Sequence, residues 1–313
     1  MIPLLTIVCP TAVGKSGAAL VLAKEIGGEI VSADSRKIYK YMDIGTAKPT
    51  EEKRKEIPHH LLDLIAPDEE FSAGRFGEEA EKVITRVYER GRVPLLVGGS
   101  GLYIVAATEG LFSGPSADKG RRKRWKEEAK ESGSLCLYEK LRKVDPPAAS
   151  RIHPHDLVRI IRALEVYEET GKPISGLQCR GNRGKSKDYN LIIIGLNRPR
   201  ENLYQRIEQR VERMFDQGLV EEVRSLLRQG YRENLVSMQG LGYKEVCACL
   251  RGEYDESEAI RLLKRNTRRY AKRQLTWFRK DEQIQWLDIS ENESPEEVVT
   301  RIKKILAGRG WKG

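Results

Sequence analysis

Paired cysteines are what this chain most plainly lacks: its five, at positions 9, 136, 179, 247 and 249, form no CxxC pair, and only four histidines accompany them. Neither a zinc cluster nor a disulfide framework fits such spacing, and a reduced, cytosolic setting does. His59 and His60 are adjacent, so their side chains diverge in a strand, while His153 and His155 flank a proline; loop or packing roles are expected for all four. No stretch reaches transmembrane length, so no membrane partner is expected. The apolar opening MIPLLTIVCP lacks a basic n-region and runs into a glycine-lysine loop, which predicts a buried strand and not a signal peptide. Internal repeats and low-complexity segments are also missing.

What is present suits a globular chain. With 313 residues, 39% apolar and 33% charged, it can bury one substantial core plus a smaller inserted domain. The 56 Lys and Arg exceed the 46 Asp and Glu by 10, a bias that favours a polyanionic partner such as nucleic acid.

Strand and helix patterns alternate at first: LLTIV at 4–8, a helical run from Ser16 to Ile26, EIVSA at 29–33, a helix within 72–90, and VPLLVGG at 93–99. The alternation predicts an α/β fold, a P-loop NTPase-like parallel sheet with helices on both faces. Residues 110–120 are rich in Gly, Ser and Pro, and charged helical segments follow to about 187. A catalytic core of 1–115 and 188–313 is therefore expected, with an inserted all-helical domain at 116–187. NLIIIGL at 190–196 returns to the sheet, a long helix follows at 200–217, and QIQWLDI at 283–289 predicts a last strand before an amphipathic helix at 295–307.

Cys9-Pro10-Thr11-Ala12-Val13-Gly14-Lys15-Ser16 lies between a strand and a helix, the context a phosphate-binding loop requires. Backbone amides and the helix N-terminus would cradle a diphosphate, Lys15 would neutralise charge, and the Ser16 hydroxyl would be available to Mg²⁺. Cys9 replaces the usual first glycine, which is tolerable only if that position keeps an ordinary φ. An ATPase would add a strand ending in Asp. VPLLVGG instead ends in glycines and Ser100, and LIIIGLN ends in Asn197, which leaves Asp34, in EIVSADS, as the strand-end acid. Strand C-termini line the ligand crevice in such sheets, so Asp34 should face the phosphate site as metal ligand, general base or helix cap.

Arg206 and Arg210 are four apart on LYQRIEQRVERM and share a face, interleaved with Glu208 and Glu212. Arg210 is favoured as a partner of the diphosphate, with an ordinary solvated helix face as the alternative. Residues 261–280 hold nine Lys or Arg and no acid. A helix of one sign repels itself unless a polyanion compensates, so Arg268 and Arg269 are expected to contact phosphates. Tyr270, Trp277 and Phe278 fall near helical spacing and read as core anchors. Two further basic runs, Lys119 to Lys130 including Lys123, and 179–187, flank the insertion and are candidates to grip RNA.

Together with the loop, SADSRKIYKYMDIGTAKP at 32–49, IPHHLLD at 57–63, LLVGGSGLYI at 95–104, RALEVYEETGKPIS at 162–175, GLGYKE at 240–245 and RRYAKRQLTWFRK at 268–280 resemble the tRNA dimethylallyltransferase family over nearly the whole chain, in order. The resemblance implies that the loop holds dimethylallyl diphosphate and not ATP, and that the acceptor is the N6 amine of the adenosine 3′ of the anticodon. It implies that Asp34 contacts the amine as base and that Ser100, in place of the usual Thr, bonds the donor's bridging oxygen. Ser35, Arg36 and Lys37 match a stretch that contacts tRNA around the flipped base, with Lys37 where Gln is frequent. Asp156, Arg159 and Arg162 match another tRNA-contacting region, with Val158 where Gln is common. A monomer is expected. Three rivals stand beside this reading: a phosphate-loop kinase, a prenyltransferase of free adenylate, and a non-catalytic RNA-binding protein.

Overall fold

A computed structural model of the chain describes residues 1–112, 114–115, 118–179 and 188–311. These divide into two compact units, Met1–Thr108 with Asp188–Gly313, and Glu109–Lys187. The boundary expected at 116 falls inside the second unit.

In the first unit, β1 (Ile2–Val8) leads to α1 (Lys15–Glu25), β2 (Gly28–Ala33), α2 (Glu51–Glu56), β3 (His59–His60), α3 (Ala73–Glu89), β4 (Val93–Gly98) and α4 (Gly101–Thr108). The second unit holds α5 (Lys119–Ser132), α6 (Ser134–Val144), α7 (Pro146–Ala149), α8 (Leu157–Thr170) and α9 (Ile174–Cys179). The chain then resumes the first with β5 (Tyr189–Asn197), α10 (Arg200–Asp216), α11 (Leu219–Arg228), α12 (Tyr243–Leu250), α13 (Glu256–Phe278), β6 (Ile284–Asp288) and α14 (Pro295–Gly308).

All strand pairs are parallel, in the order β3-β2-β4-β1-β5-β6. Parallel strands are covered on both faces, which is why β1, β2 and β4 read as near-continuous apolar runs. Successive side chains point to opposite faces. Leu4 and Val8 of β1 join Leu96, Ile193 and the apolar stripe of α3, while Leu5 and Ile7 join Leu95, Ile192 and Ile194 under α1 and α14. Each fully buried aliphatic or Phe side chain stabilises by about 1.5–3 kcal/mol. Local signals set the helix starts: Ser72 caps α3, and Ser294 with Glu297 forms a capping box ahead of Pro295 on α14.

The two-residue edge strand β3 was not legible, being too short for any periodicity. The described residues of the second unit enclose their own core of Leu137, Leu141, Ile160, Ile161 and Leu164.

Candidate active site

The phosphate loop joins the end of β1 to α1. Cys9 is absent from the residues of positive φ, which is the backbone condition for replacing glycine there, whereas Gly14 caps α1 at φ 115°. Ala12 sits at φ 65°, strained for a residue with a Cβ. The loop is clasped by residues from far along the chain. Thr11 N–H donates to Gln274 Oε1 at 2.9 Å, Arg210 Nη1 donates to Thr11 Oγ1 at 3.2 Å, and Arg206 and Arg198 donate through Nε to the carbonyls of Ala12 and Val13 at 3.0 and 2.7 Å. Burial pushes the pKa of all three guanidinium groups down. Burial also pushes the Cys9 thiol up to about 11, against the opposing pull of Lys15, so Cys9 is a neutral packing group and not a nucleophile. Pro10 lies between the buried Cys9 and this clasp.

Asp34 follows β2 directly, and its Oδ1 accepts from Arg36 N–H at 2.9 Å, a local turn and not a helix cap. Ser100 follows β4. Its amide donates to Ala33 O at 3.3 Å, and its Oγ accepts from Ser35 N–H at 3.0 Å and lies 3.2 Å from Ser35 Oγ. Gln274 Nε2 donates to Gly99 O at 2.8 Å, so one buried amide ties the phosphate loop to the strand end that carries Ser100. Tyr270 hydrogen-bonds Ser100, and burial together with Asp34 pushes its phenol up to about 12. Asp34, Ser100, Lys15 and Arg210 thus converge at the C-terminal ends of β1, β2 and β4, where open α/β sheets bind ligands.

Lys15, Lys37 and Arg210 have no carboxylate within ion-pair distance among the described residues. The Ser16 hydroxyl is exposed in the first turn of α1, with no hydrogen-bond partner there either. Among the described residues no group of three His, Cys, Asp or Glu is placed to hold a metal. The Ser16 hydroxyl could therefore contribute one ligand to a Mg²⁺ that keeps several waters, the usual habit of that ion.

Several contributors were missed in the sequence. Arg198 and Gln274 gave no isolated signal, since each acts on a segment more than 100 residues away; Arg206 was a candidate beside Arg210, and Tyr270 was read as a core anchor and not as a site residue. Glu222 accepts from the amides of Asp43, Ile44 and Gly45 at 2.9, 2.7 and 3.1 Å and from the Tyr243 hydroxyl at 2.7 Å. A Cβ on Gly45 would come within 2.6 Å of the Tyr243 ring, so glycine is required for that approach. DIGTAKP and GLGYKE meet at this contact, which holds the segment following Asp34.

Some expectations need correcting. Asp34 is the acid that follows a core strand, but the edge strand β6 also ends in an acid, Asp288, whose Oδ1 accepts from Asn197 Nδ2 at 2.7 Å. Helix α13 is not compensated by a polyanion alone, because Lys264 and Arg268 pair with Glu212 and Glu208 of α10, each at 2.6 Å. Arg269 is exposed and unpaired among the described residues. Of the three aromatics only Phe278 is a core residue, at 3% exposure against 43% for Trp277, while Tyr270 turns to the site.

In the second unit, Arg162 donates to the fully buried Glu165 at 2.7 Å and to Pro115 O at 2.8 Å, so it holds its own unit together. Arg121, Arg122 and Arg124 likewise pair with Glu169, Glu165 and Glu168. Lys123, near Glu127 at 3.9 Å, and Arg159, near the α8 cap Asp156 at 3.5 Å, are exposed. The basic run ending at 187 lies outside the described residues from Arg180 onward. No helix among the described residues is long and apolar enough to cross a membrane.

The chain resembles known proteins along almost all of its length. A tRNA dimethylallyltransferase of Alkaliphilus oremlandii is 49% identical over 306 residues, covering 97% of each chain, and one of Geobacter metallireducens is 49% identical over 279 residues, 89% of this chain and 90% of the other. The solved full-length tRNA isopentenylpyrophosphate transferase of Bacillus halodurans superposes with a TM-score of 0.73 at 42% identity, covering 98% of this chain and 96% of that one. A eukaryotic dimethylallyltransferase solved acting on tRNA gives 0.80 at 26% identity, with 98% and 80% covered. The IPP transferase family model matches residues 37–281, and with these relatives it establishes that the chain belongs to the IPP transferase family.

Proposed function

We propose that the chain is a tRNA dimethylallyltransferase that moves the dimethylallyl group of dimethylallyl diphosphate to the N6 amine of the adenosine 3′ of the anticodon, releasing diphosphate. The observation that carries this reading is the carboxylate of Asp34 at the same end of the sheet as a phosphate loop and cations that lack acidic partners among the described residues. A kinase would also use the loop and could use Asp34 as its base; the likeness to tRNA dimethylallyltransferases along nearly the whole chain favours prenyl transfer.

The adenine amine is a weak nucleophile because its lone pair is delocalised, and attack on the allylic carbon makes its proton acidic. Asp34 holds the amine in line and accepts that proton as the new C–N bond forms. The bond from the allylic carbon to the bridging oxygen breaks, and the Ser100 hydroxyl donates to that oxygen. Charge gathering on the diphosphate meets the loop amides, Lys15 and Arg210, whose interactions strengthen as it develops. Mg²⁺, held in part by Ser16, would supply further charge neutralisation when bound. A stacked adenine hides its amine, so the base must be flipped beside Asp34, at a cost of a few kcal/mol. Arg269 on the first unit and Lys123 and Arg159 on the second are the exposed, basic candidates for RNA phosphates, in the cytoplasm where tRNA resides.

Transfer of labelled dimethylallyl group to unmodified tRNA, run beside free AMP and an ATP-consumption control, tests the reading. Label on tRNA alone supports it. Label on AMP points to an adenylate prenyltransferase, and ATP consumption without transfer points to a kinase.

A further inference from the structure

The proposed mechanism leaves one charged group unused. Lys37 sits three residues after Asp34, on the segment whose turn is made by the Asp34–Arg36 bond and whose carbonyl at position 37 accepts from Asp63 N–H at 3.2 Å. It is half-buried and makes no salt bridge among the described residues. The groups acting on its ammonium are Asp34 from the end of β2, Lys15 from α1, Arg210 from α10, and Lys48 from the loop before α2. His59 of β3 is also within its influence, and burial holds that imidazole below its ordinary pKa. Lys48 is neutralised by Asp43 and Asp63, at 2.7 and 2.6 Å.

Without Lys48, three cations face a single carboxylate. Partly desolvated charges of one sign repel unless an anion joins them, and the unpaired excess here lies beside a loop shaped for phosphates. An ammonium donates but cannot accept, and as a compact point charge it suits phosphate oxygens, the ligand that the neighbouring cations and the loop also fit.

We infer that Lys37 is a third cation for the donor's diphosphate, acting with Lys15 and Arg210, and not a reader of the tRNA base as expected from its motif. The inference rests on the dimethylallyl diphosphate reading and assigns a donor-binding residue to it. Burial, with Lys15 and Arg210 opposing Asp34, pulls the Lys37 ammonium down to about 8. Its charge is therefore present below that pH and lost above it. Bound diphosphate favours the charged form and raises the transition.

Binding of inorganic diphosphate to the full-length chain, followed by calorimetry across about pH 7 to 9.5, tests this. Lys37→Gln is expected to weaken binding ~10-fold near neutrality, with tRNA affinity unchanged, and its gap from the parent chain to close below ~2-fold at the alkaline end. Lys37→Arg, which keeps its charge, should bind as the parent does near neutrality and more tightly than it at the alkaline end. Equal affinities of the Gln variant and the parent near neutrality would overturn the inference. So would a gap that does not change with pH, which marks a structural role, or a loss confined to tRNA binding. If Lys37→Gln does not fold, Lys37→Arg against the parent at the alkaline end decides. A parent chain that transfers no prenyl group, or binds no diphosphate, would count against the proposed function itself, separately from this residue.

Discussion

Gln274 offers the sharpest test of how the site is held. Its side chain is 7% exposed and spans from α13 to two loops, accepting from Thr11 N–H at 2.9 Å and donating to Gly99 O at 2.8 Å. Gln274→Leu is close in volume but removes both bonds, leaving a backbone donor and a backbone acceptor in a buried place. Each such group costs about 1–3 kcal/mol when left unsatisfied, and relaxation of the loop recovers part, so a loss of roughly 2–4 kcal/mol is expected. The effect should be local. Hydrogen exchange of the Thr11 amide and its loop neighbours should accelerate by at least ~30-fold, and KM for dimethylallyl diphosphate should rise while tRNA affinity is retained. Gln274→Glu keeps the acceptor for Thr11 but places a carboxylate oxygen against Gly99 O, so it should recover Thr11 protection only in part. Unchanged exchange at Thr11 together with an unchanged donor KM would refute the assignment of Gln274 as the tie between the phosphate loop and the Ser100 strand end.

Asp34→Asn retains an oxygen for the Arg36 amide and should leave tRNA binding intact while lowering single-turnover transfer by about 10²–10⁴-fold; loss of binding instead would refute its role as base. Arg269→Ala should reduce the slope of log affinity for tRNA against log salt by roughly 0.7–0.9, whereas Arg268→Ala, already paired with Glu208 at 2.6 Å, should change it less. Burial works against ionisation of Glu165, yet hydrogen bonds from Arg122 and Arg162 outweigh it and hold its carboxyl below the ordinary value. A depressed carboxyl stabilises fully above its unfolded pKa, so the second unit should lose stability as pH falls below about 4.3, read from hydrogen exchange of α8. Glu165→Gln should lose about 1–3 kcal/mol near neutrality by leaving two partly solvated arginines without their charge partner, and should not show that acid-dependent step.

Much of the frame was legible because it depends on neighbours close in the chain. Apolar runs too short for helices, alternating with helical stretches, specify buried parallel strands, and they appear at β1, β2, β4, β5 and β6. The glycine-lysine turn and the carboxylate after EIVSA identify the phosphate loop and Asp34 because backbone geometry and strand ends are local properties. Charge was different. The acid-free run of α13 looked uncompensated, but its partners Glu208 and Glu212 lie more than 50 residues away, and no local pattern encodes which cation meets which carboxylate. Arg162 and Lys37 looked alike as basic residues in RNA-contacting motifs, yet one is engaged by a buried glutamate and the other stands beside Lys15 and Arg210 with no salt bridge among the described residues. The sequence by itself thus determined the sheet, the loop and the strand-end acid. Only the tertiary structure decided which charges are neutralised and which remain for a ligand, because Coulomb interactions and desolvation depend on distances and burial that long-range contacts create.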